Sequence, residues 1–260
     1  MWKATAPNGS TCYLGGSVHA LRSSDYPLPV AYNRAFDASD RLAFETEENP
    51  GVSSIKKIRS AGKYPPGDSL KNHVDPRTFA YLRRFFTLLR VPEKEYTSLR
   101  PWMLVVTLQS SDSRGASSAL GVEGFLGGRA RATKKQIVGL ETIAEHYDVF
   151  SGLTDRQAEA LLLLTFIPDA PGAASQSELL AAWRRGDATA LTRITQSSFA
   201  DFPAFGDRII GARNRRWIPK IESYMQSGKT YFVVAGAAHF GGPGGVVALL
   251  RARGYSVEQL

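Results

Sequence analysis

The sequence predicts an α/β fold, and three observations carry that expectation. Apolar runs of strand length recur along the 260 residues, several of them continuous rather than alternating, as in strands covered on both faces. Stretches of helical periodicity separate those runs. Two segments near opposite ends of the chain, Tyr13-Leu14-Gly15-Gly16-Ser17-Val18-His19 and Phe232-Val233-Val234-Ala235-Gly236-Ala237-Ala238-His239, also close in the same way. In each, a strand-like run breaks at glycine and delivers a histidine three residues later.

In chain order, strands are expected at Thr11–Gly15, Arg41–Glu45, Met103–Leu108, Gln136–Leu140, Tyr231–Gly236 and Tyr255–Gln259. Helices are expected at Pro29–Ala38, Asp75–Leu89, Thr154–Phe166, Ser177–Arg185, Phe205–Gln226 and Gly245–Arg253, the last with Gly254 placed to cap it. The stretch Asp155–Phe205 is helical without a strand, so residues 1–260 read as a single domain with a helical insert at about 150–205. Gly115-Ala116-Ser117-Ser118 and Pro171-Gly172-Ala173-Ala174-Ser175 read as surface loops. The order also carries a twofold echo. Gly16–His19 is followed by a strand ending Phe44-Glu45-Thr46, and a strand ending Gly139-Leu140-Glu141-Thr142 is followed, after the helical part, by Gly236–His239. Each half offers one histidine and one strand-terminal glutamate, which predicts two pseudo-repeated halves whose strand ends converge where α/β folds place ligands.

Composition narrows the classes. With 43% hydrophobic and 22% charged residues the chain is ordinary for a globular protein. A single cysteine, Cys12, excludes an internal disulfide and a multi-thiolate zinc site, and inside a predicted strand it reads as core. The net charge of +8 is spread as pairs such as Lys56-Lys57 and Arg83-Arg84, with one cluster at Arg213-Asn214-Arg215-Arg216. Neither an aromatic-interleaved pattern nor a helix-turn-helix signature accompanies it, so a solvated surface is expected rather than a nucleic-acid partner. No run approaches the roughly 18 apolar residues of a membrane span. Met1-Trp2-Lys3 leads into a strand without a signal peptide, which leaves a cytoplasmic protein or one, periplasmic or secreted, from which an export signal was cut. The oligomeric state stays open.

The chain holds only four histidines, and two of them fall in matching frames. If their strands are neighbours in one sheet, His19 and His239 emerge at one edge and share a metal ion or a substrate. Two neutral imidazoles with one or two carboxylates suit Zn²⁺, Mn²⁺, Co²⁺ or Fe²⁺. The strand-end glutamates Glu45 and Glu141 are the candidate carboxylates, with Glu47 and Glu48 in the same acidic cluster as Glu45. In metal-assisted hydrolysis one carboxylate completes the coordination and another shuttles a proton. Arg213 and Asn214 are candidates to point into the site, Arg213 on a substrate carboxylate or an oxyanion. Glu145 and His146 follow Glu141 by about one helical turn and are candidates for a second layer of contacts. His73, beside Asp75-Pro76 at a helix start, reads as structural. The Gly241-Gly242-Pro243-Gly244-Gly245 run lacks the phosphate-cradle frame and reads as a tight turn beside His239. HExxH, G-x-S-x-G and Walker motifs are absent from the sequence.

Leu14-Gly15-Gly16-Ser17-Val18-His19, Leu28-Pro29 and Phe44-Glu45 resemble the N-terminal signature of the TraB/GumN family. Gly121-Val122-Glu123, Gly139-Leu140-Glu141-Thr142, Arg213-Asn214, Gly236-Ala237-Ala238-His239 and Gly254-Tyr255-Ser256-Val257 follow in the family's order, so the resemblance runs from about Trp2 to Leu260. That family is grouped with the Tiki proteins, erythromycin esterase-like enzymes and ChaN haem-binding proteins. The resemblance implies a central mixed sheet flanked by helices and a metal-dependent hydrolase site. It makes His19 and His239 metal ligands, Glu45 and Glu141 ligands or general base, and Arg213 and Asn214 substrate-site groups. Tiki members are proteases that use manganese or cobalt, so it implies a metallopeptidase acting on peptides. Departures from the family's pattern are Ser17, shifted one place from the usual hydroxyl residue, Glu123 where aspartate is common and His146 where glutamine is common. An ester or lactone hydrolase, a non-catalytic haem- or ligand-binding protein and a basic interaction module are the alternative readings.

Overall fold

The computed structural model describes residues 1–109, 116–166, 176–200 and 202–260. Gly115 and the loop expected at Pro171–Ser175 lie outside the described residues. The chain divides into two compact units. One comprises Met1–Asn49, Asp112–Thr142 and Pro171–Leu260, the other Pro50–Ser111 and Ile143–Ala170. The first thus holds the described helices Gln176–Arg185 and Ala188–Ser198 from the expected insert, the second the helix Asp155–Thr165.

The first unit is an α/β layer structure around a six-stranded mixed sheet. Its strands are β1 (Trp2–Thr5), β2 (Thr11–Ser17), β3 (Arg41–Thr46), β4 (Gln136–Glu141), β5 (Tyr231–Gly236) and β6 (Ser256–Gln259), in the order β4-β3-β5-β2-β1-β6. The pairs β4–β3, β3–β5 and β5–β2 are parallel, while β1 runs antiparallel to both β2 and β6. Strand alternation feeds two cores. Tyr231, Val233 and Ala235 face one, with Trp217, Ile218 and Ile221 of the helix Ala212–Met225 and Val246 and Leu250 of the helix Val246–Arg251. Phe232 and Val234 face the other, with Tyr32 and Phe36 of Val30–Asp37, Leu126 and Ala130 of Val122–Ala132, and Trp183. A strand buried on both faces has no reason to alternate in polarity, which is why β5 reads as a continuous apolar run. Cys12 lies in the first core, its thiol pushed up to about 12 by burial.

The helix Val246–Arg251 ends as expected at Gly254. Its φ of +86° places it in the left-handed region, the Gly254 N–H donates to the Arg251 carbonyl and the Tyr255 N–H to that of Leu250. The long helix expected at Phe205–Gln226 runs without a gap from Pro203–Gly206 through a π-turn at Asp207–Gly211 to Ala212–Met225, the residues at both junctions keeping right-handed helical angles. Met103–Leu108, expected as a strand, is instead inside the helix Pro101–Gln109 of the second unit. Pro101 opens that helix with its φ already set, and Leu104 and Val105 pack with Phe79, Leu82, Phe86 and Leu162 in the second unit's core. A short continuous apolar run carries no period of its own, so the starting proline and the packing decide. No helix among the described residues is long and apolar enough to cross a membrane.

His73 is held in the second unit between two aspartates, with Nδ1 2.8 Å from Asp155 and Nε2 2.7 Å from Asp68, and stacks on Tyr64 at 4.3 Å. The hydrogen bonds to Asp155 and Asp68 raise its pKa. Only the imidazolium donates from both nitrogens. The folded pKa therefore lies above the unfolded one, so this stabilisation is complete below about 6.5 and is lost as pH rises through the folded value. Thermal denaturation of the wild type should lose stability on going from neutral to mildly alkaline pH, and His73→Gln should abolish that component of the slope. Identical pH profiles would show that the two aspartates do not hold the proton. Phe232, fully buried in β5, gives a control for the sheet unit: Phe232→Ala should cost about 3–5 kcal/mol in urea denaturation.

Candidate functional site

All four parallel strands end at one edge of the sheet. Ser17 of β2 is in register with Gly236 of β5, and Thr46 of β3 with Glu141 of β4. The edge thus gathers Glu45, Glu141 and the two Gly-x-x-His segments, the crevice where parallel sheets place ligands.

Gly236 is where the donors converge. A Cβ at that position would stand 3.3 Å from Glu45 Oε1, 3.6 Å from His19 Nε2 and 3.6 Å from His239 Cδ2. The two imidazoles therefore lie at most twice the last distance apart, and a side chain there would fill the space between them. The Gly236 N–H donates to Glu45 Oε1 at 2.7 Å.

His19 sits on the loop after β2, and buried groups anchor that loop from behind. The Gly16 carbonyl accepts from Trp183 Nε1 at 2.7 Å and from the Tyr32 hydroxyl. The Val122 N–H donates to the Val18 carbonyl at 3.2 Å, and Gly121 passes so close that an added Cβ would be 2.1 Å from the His19 carbonyl oxygen. Gly121-Val122-Glu123 thus starts a helix directly against the histidine loop. Glu123 Oε1 accepts from Ser17 Oγ at 2.5 Å and lies 3.0 Å from His19 Nδ1. The hydrogen bond and charge of Glu123, with a smaller contribution from Glu45, raise the His19 pKa to about 9, so at neutral pH the ring holds a proton that a bound metal would have to displace. The His19 side chain is 70% exposed and Nδ1 points to Glu123, which leaves Nε2 toward Gly236 and Glu45.

His239 is buried in the 3₁₀ turn Ala237–His239 after β5. Its Nδ1 lies 2.7 Å from Asn214 Oδ1, while Asn214 Nδ2 donates to the carbonyls of His239 and Gly244 at 3.1 and 2.8 Å. With the amide nitrogen committed to two acceptors, Asn214 presents oxygen to the ring. The proton therefore sits on Nδ1 and the lone pair on Nε2, which accepts from Arg213 Nη1 at 3.3 Å and lies 3.9 Å from Glu45 Oε1. Burial lowers the His239 pKa to about 4, so the ring is neutral.

Arg213 organises the carboxylates. Its Nη2 donates to Glu45 Oε2 at 2.5 Å and to Glu141 Oε1 at 2.6 Å, its Nε to Glu141 Oε1 at 3.0 Å, and its Nη1 to the Ile209 carbonyl in the π-turn at 3.3 Å. Trp217 Nε1 donates to Glu141 Oε2 at 3.0 Å, and the guanidinium lies over the Trp217 ring at 4.6 Å. Burial opposes ionisation of Glu45, but His239, Arg213, His19 and the Gly236 amide outweigh it and hold the carboxyl well below its usual range. With His239 neutral, the guanidinium is the dominant positive neighbour. Glu48 is exposed and pairs with Arg131, while Glu145 and His146 lie on the helix Ile143–Ser151 of the second unit.

The TraB/PrgY/gumN family model matches residues 1–259. The chain belongs to that family. Among curated proteins, a relative of this TraB/PrgY/gumN protein from Treponema pallidum (strain Nichols) is 28% identical over 280 residues, spanning 97% of this chain and 80% of its own, and its printed description is "Uncharacterized protein". No solved structure matches the chain.

Glu123 is the site residue that spacing arguments did not assign. An acidic residue in a helix's first turn is ordinary on dipole grounds, and its position after Gly121-Val122 is the signal that marks it. The donor atoms of His19, Glu45 and Glu123 lie within 4.8 Å of one another. Glu123 Oε2 is buried without a hydrogen-bond partner, a costly state that a cation or a proton relieves. Together with the tautomer imposed on His239, the donor set fits a divalent cation of borderline hardness.

Arg213→Met should leave two buried carboxylates without their cation and destabilise the protein by about 3–5 kcal/mol in urea denaturation. A loss under about 1 kcal/mol would mean the carboxylates relax into water.

Proposed function

We propose that this TraB/PrgY/gumN protein is a metal-dependent hydrolase and that peptides are its substrates. The convergence of His19 Nε2, Glu45 Oε1 and the His239 ring on the open face of Gly236 carries the reading. These three side chains would hold the ion, Mn²⁺ or Co²⁺ before Zn²⁺, since imidazole and carboxylate together suit all three. When bound, a divalent ion supplies Lewis acidity toward a scissile carbonyl and an attacking water.

The chain's own residues do the rest. Arg213 keeps Glu45 ionised and fixes its second oxygen, so Oε1 faces Gly236. Asn214 holds His239 in the tautomer whose Nε2 is free of a proton. Ser17 and His19 fix Glu123 Oε1, and this carboxylate, with a donor atom within 4.8 Å of those of His19 and Glu45, would take a proton from water and return it to a leaving group. Glu141 acts at one remove, by orienting Arg213. The peptide as substrate rests on the resemblance to the Tiki proteases, and the metal on the donor set.

Protein purified without chelator should carry about one divalent ion per chain by elemental analysis, lost in His19→Ala and Glu45→Ala. An unbiased peptide mixture digested with added Mn²⁺ or Co²⁺ should be cleaved by the wild type and not by those variants. Glu123→Gln should keep the metal and lower cleavage about 10²–10⁴-fold, the usual contribution of a general base. Cleavage at the wild-type rate in His19→Ala and Glu45→Ala would refute the assignment.

A further inference from the structure

A cleft of about 310 Å³ lies in the sheet unit beside His239. The helix Ala188–Ser198, the π-turn at Asp207–Gly211 and the glycine loop Gly241–Gly245 enclose it, with Phe199, Pro203 and Ala238 completing the wall. Several of its residues are polar by type but not by what they present. Thr192 Oγ donates to the Ala188 carbonyl at 2.8 Å and Thr195 Oγ to that of Leu191 at 2.9 Å. Both oxygens of Asp207 are bound by Arg215 at 3.0 and 2.9 Å. What remains for a ligand is methyl groups, the Ile210 side chain, a phenyl ring and glycine backbone, with the Gln196 amide at the exposed rim.

The walls are also the supports of the proposed metal site. Ala238 precedes His239, the Gly244 carbonyl accepts from Asn214, and the π-turn supplies the Ile209 carbonyl to Arg213. The glycine loop lies hard on the helix Ala188–Ser198, where a Cβ at Gly241 would stand 2.1 Å from Thr192 Oγ. At the lower end of the range for small-molecule pockets, the cleft takes one large apolar group rather than an extended ligand.

We infer that this cleft is a specificity pocket for a single apolar side chain of the substrate, of leucine or methionine size, adjoining the bond cleaved at the His19–His239 site. The inference builds on the hydrolase reading, but its first test does not need catalysis. N-acetyl-leucinamide titrated into protein with labelled Ile and Ala methyls should give saturable shifts at Ile210 and Ala238, and N-acetyl-glycinamide should not. Thr195→Trp, which fills the cleft, should weaken that binding roughly tenfold or more, the order set by one buried apolar side chain. Ala200→Met at the exposed rim serves if Thr195→Trp fails to fold, with the same direction expected. In the peptide digest, the wild type should favour a large apolar residue at one position beside the scissile bond, and Thr195→Trp should shift that preference to glycine or alanine. Methyl shifts without cleavage of any peptide would defeat the peptidase reading and uphold the pocket. Equal shifts from both amides, or cleavage indifferent to neighbouring side chains, would overturn the pocket and leave the hydrolase standing.

Discussion

The constraint on which the site depends is the parallel seating of β5 between β2 and β3. Residues 231–236 come late in the chain, yet they occupy the middle of the sheet and pair with strands from the first fifth of it. Parallel alignment makes three C-terminal ends meet at one edge, and the register of Ser17 with Gly236 sets the two Gly-x-x-His turns side by side. Antiparallel seating would have sent His239 to the opposite edge. Contacts between such distant segments are costly to close, and the burial of β5 on both faces supplies the compensating free energy.

Much of this was legible in the sequence because buried parallel strands leave a simple trace. The runs at Thr11–Gly15, Arg41–Glu45, Gln136–Leu140 and Tyr231–Gly236 are found as strands within two residues of those bounds. Met103–Leu108 is ambiguous in the sequence because six consecutive residues without charge fit a buried helix as well as a buried strand, and Pro101 is the residue that decides. Trp2–Thr5 left little trace, since four residues with two inward side chains are too few to show a period. The helix Val52–Ala61 has no fully buried residue, so its apolar face is faint.

Within the site, glycine–histidine spacing was readable and the roles of charged groups were not. Arg213 sits in a run of basic residues that looks like a solvated helix face, yet Arg213, Asn214 and Trp217 are buried while Arg215 and Arg216 face water. A helical period hidden inside a charged cluster separates them. Whether an arginine meets substrate or holds two glutamates depends on where strands β3 and β4 end, which only the assembled sheet decides. Tyr32 and Trp183 are further examples. As aromatic residues on helices they look like ordinary core, and their shared grip on the Gly16 carbonyl emerges only from tertiary packing.

The sharing of one guanidinium between Glu45 and Glu141 has a further consequence. A lone glutamate–arginine couple is a neutral zwitterion, electrically indifferent to passing ions. Adding a second carboxylate to the same arginine gives the three side chains together a net negative charge, spread over four oxygens in a region of low dielectric. Attraction for a cation at Gly236 then originates partly in a glutamate that never has to touch it.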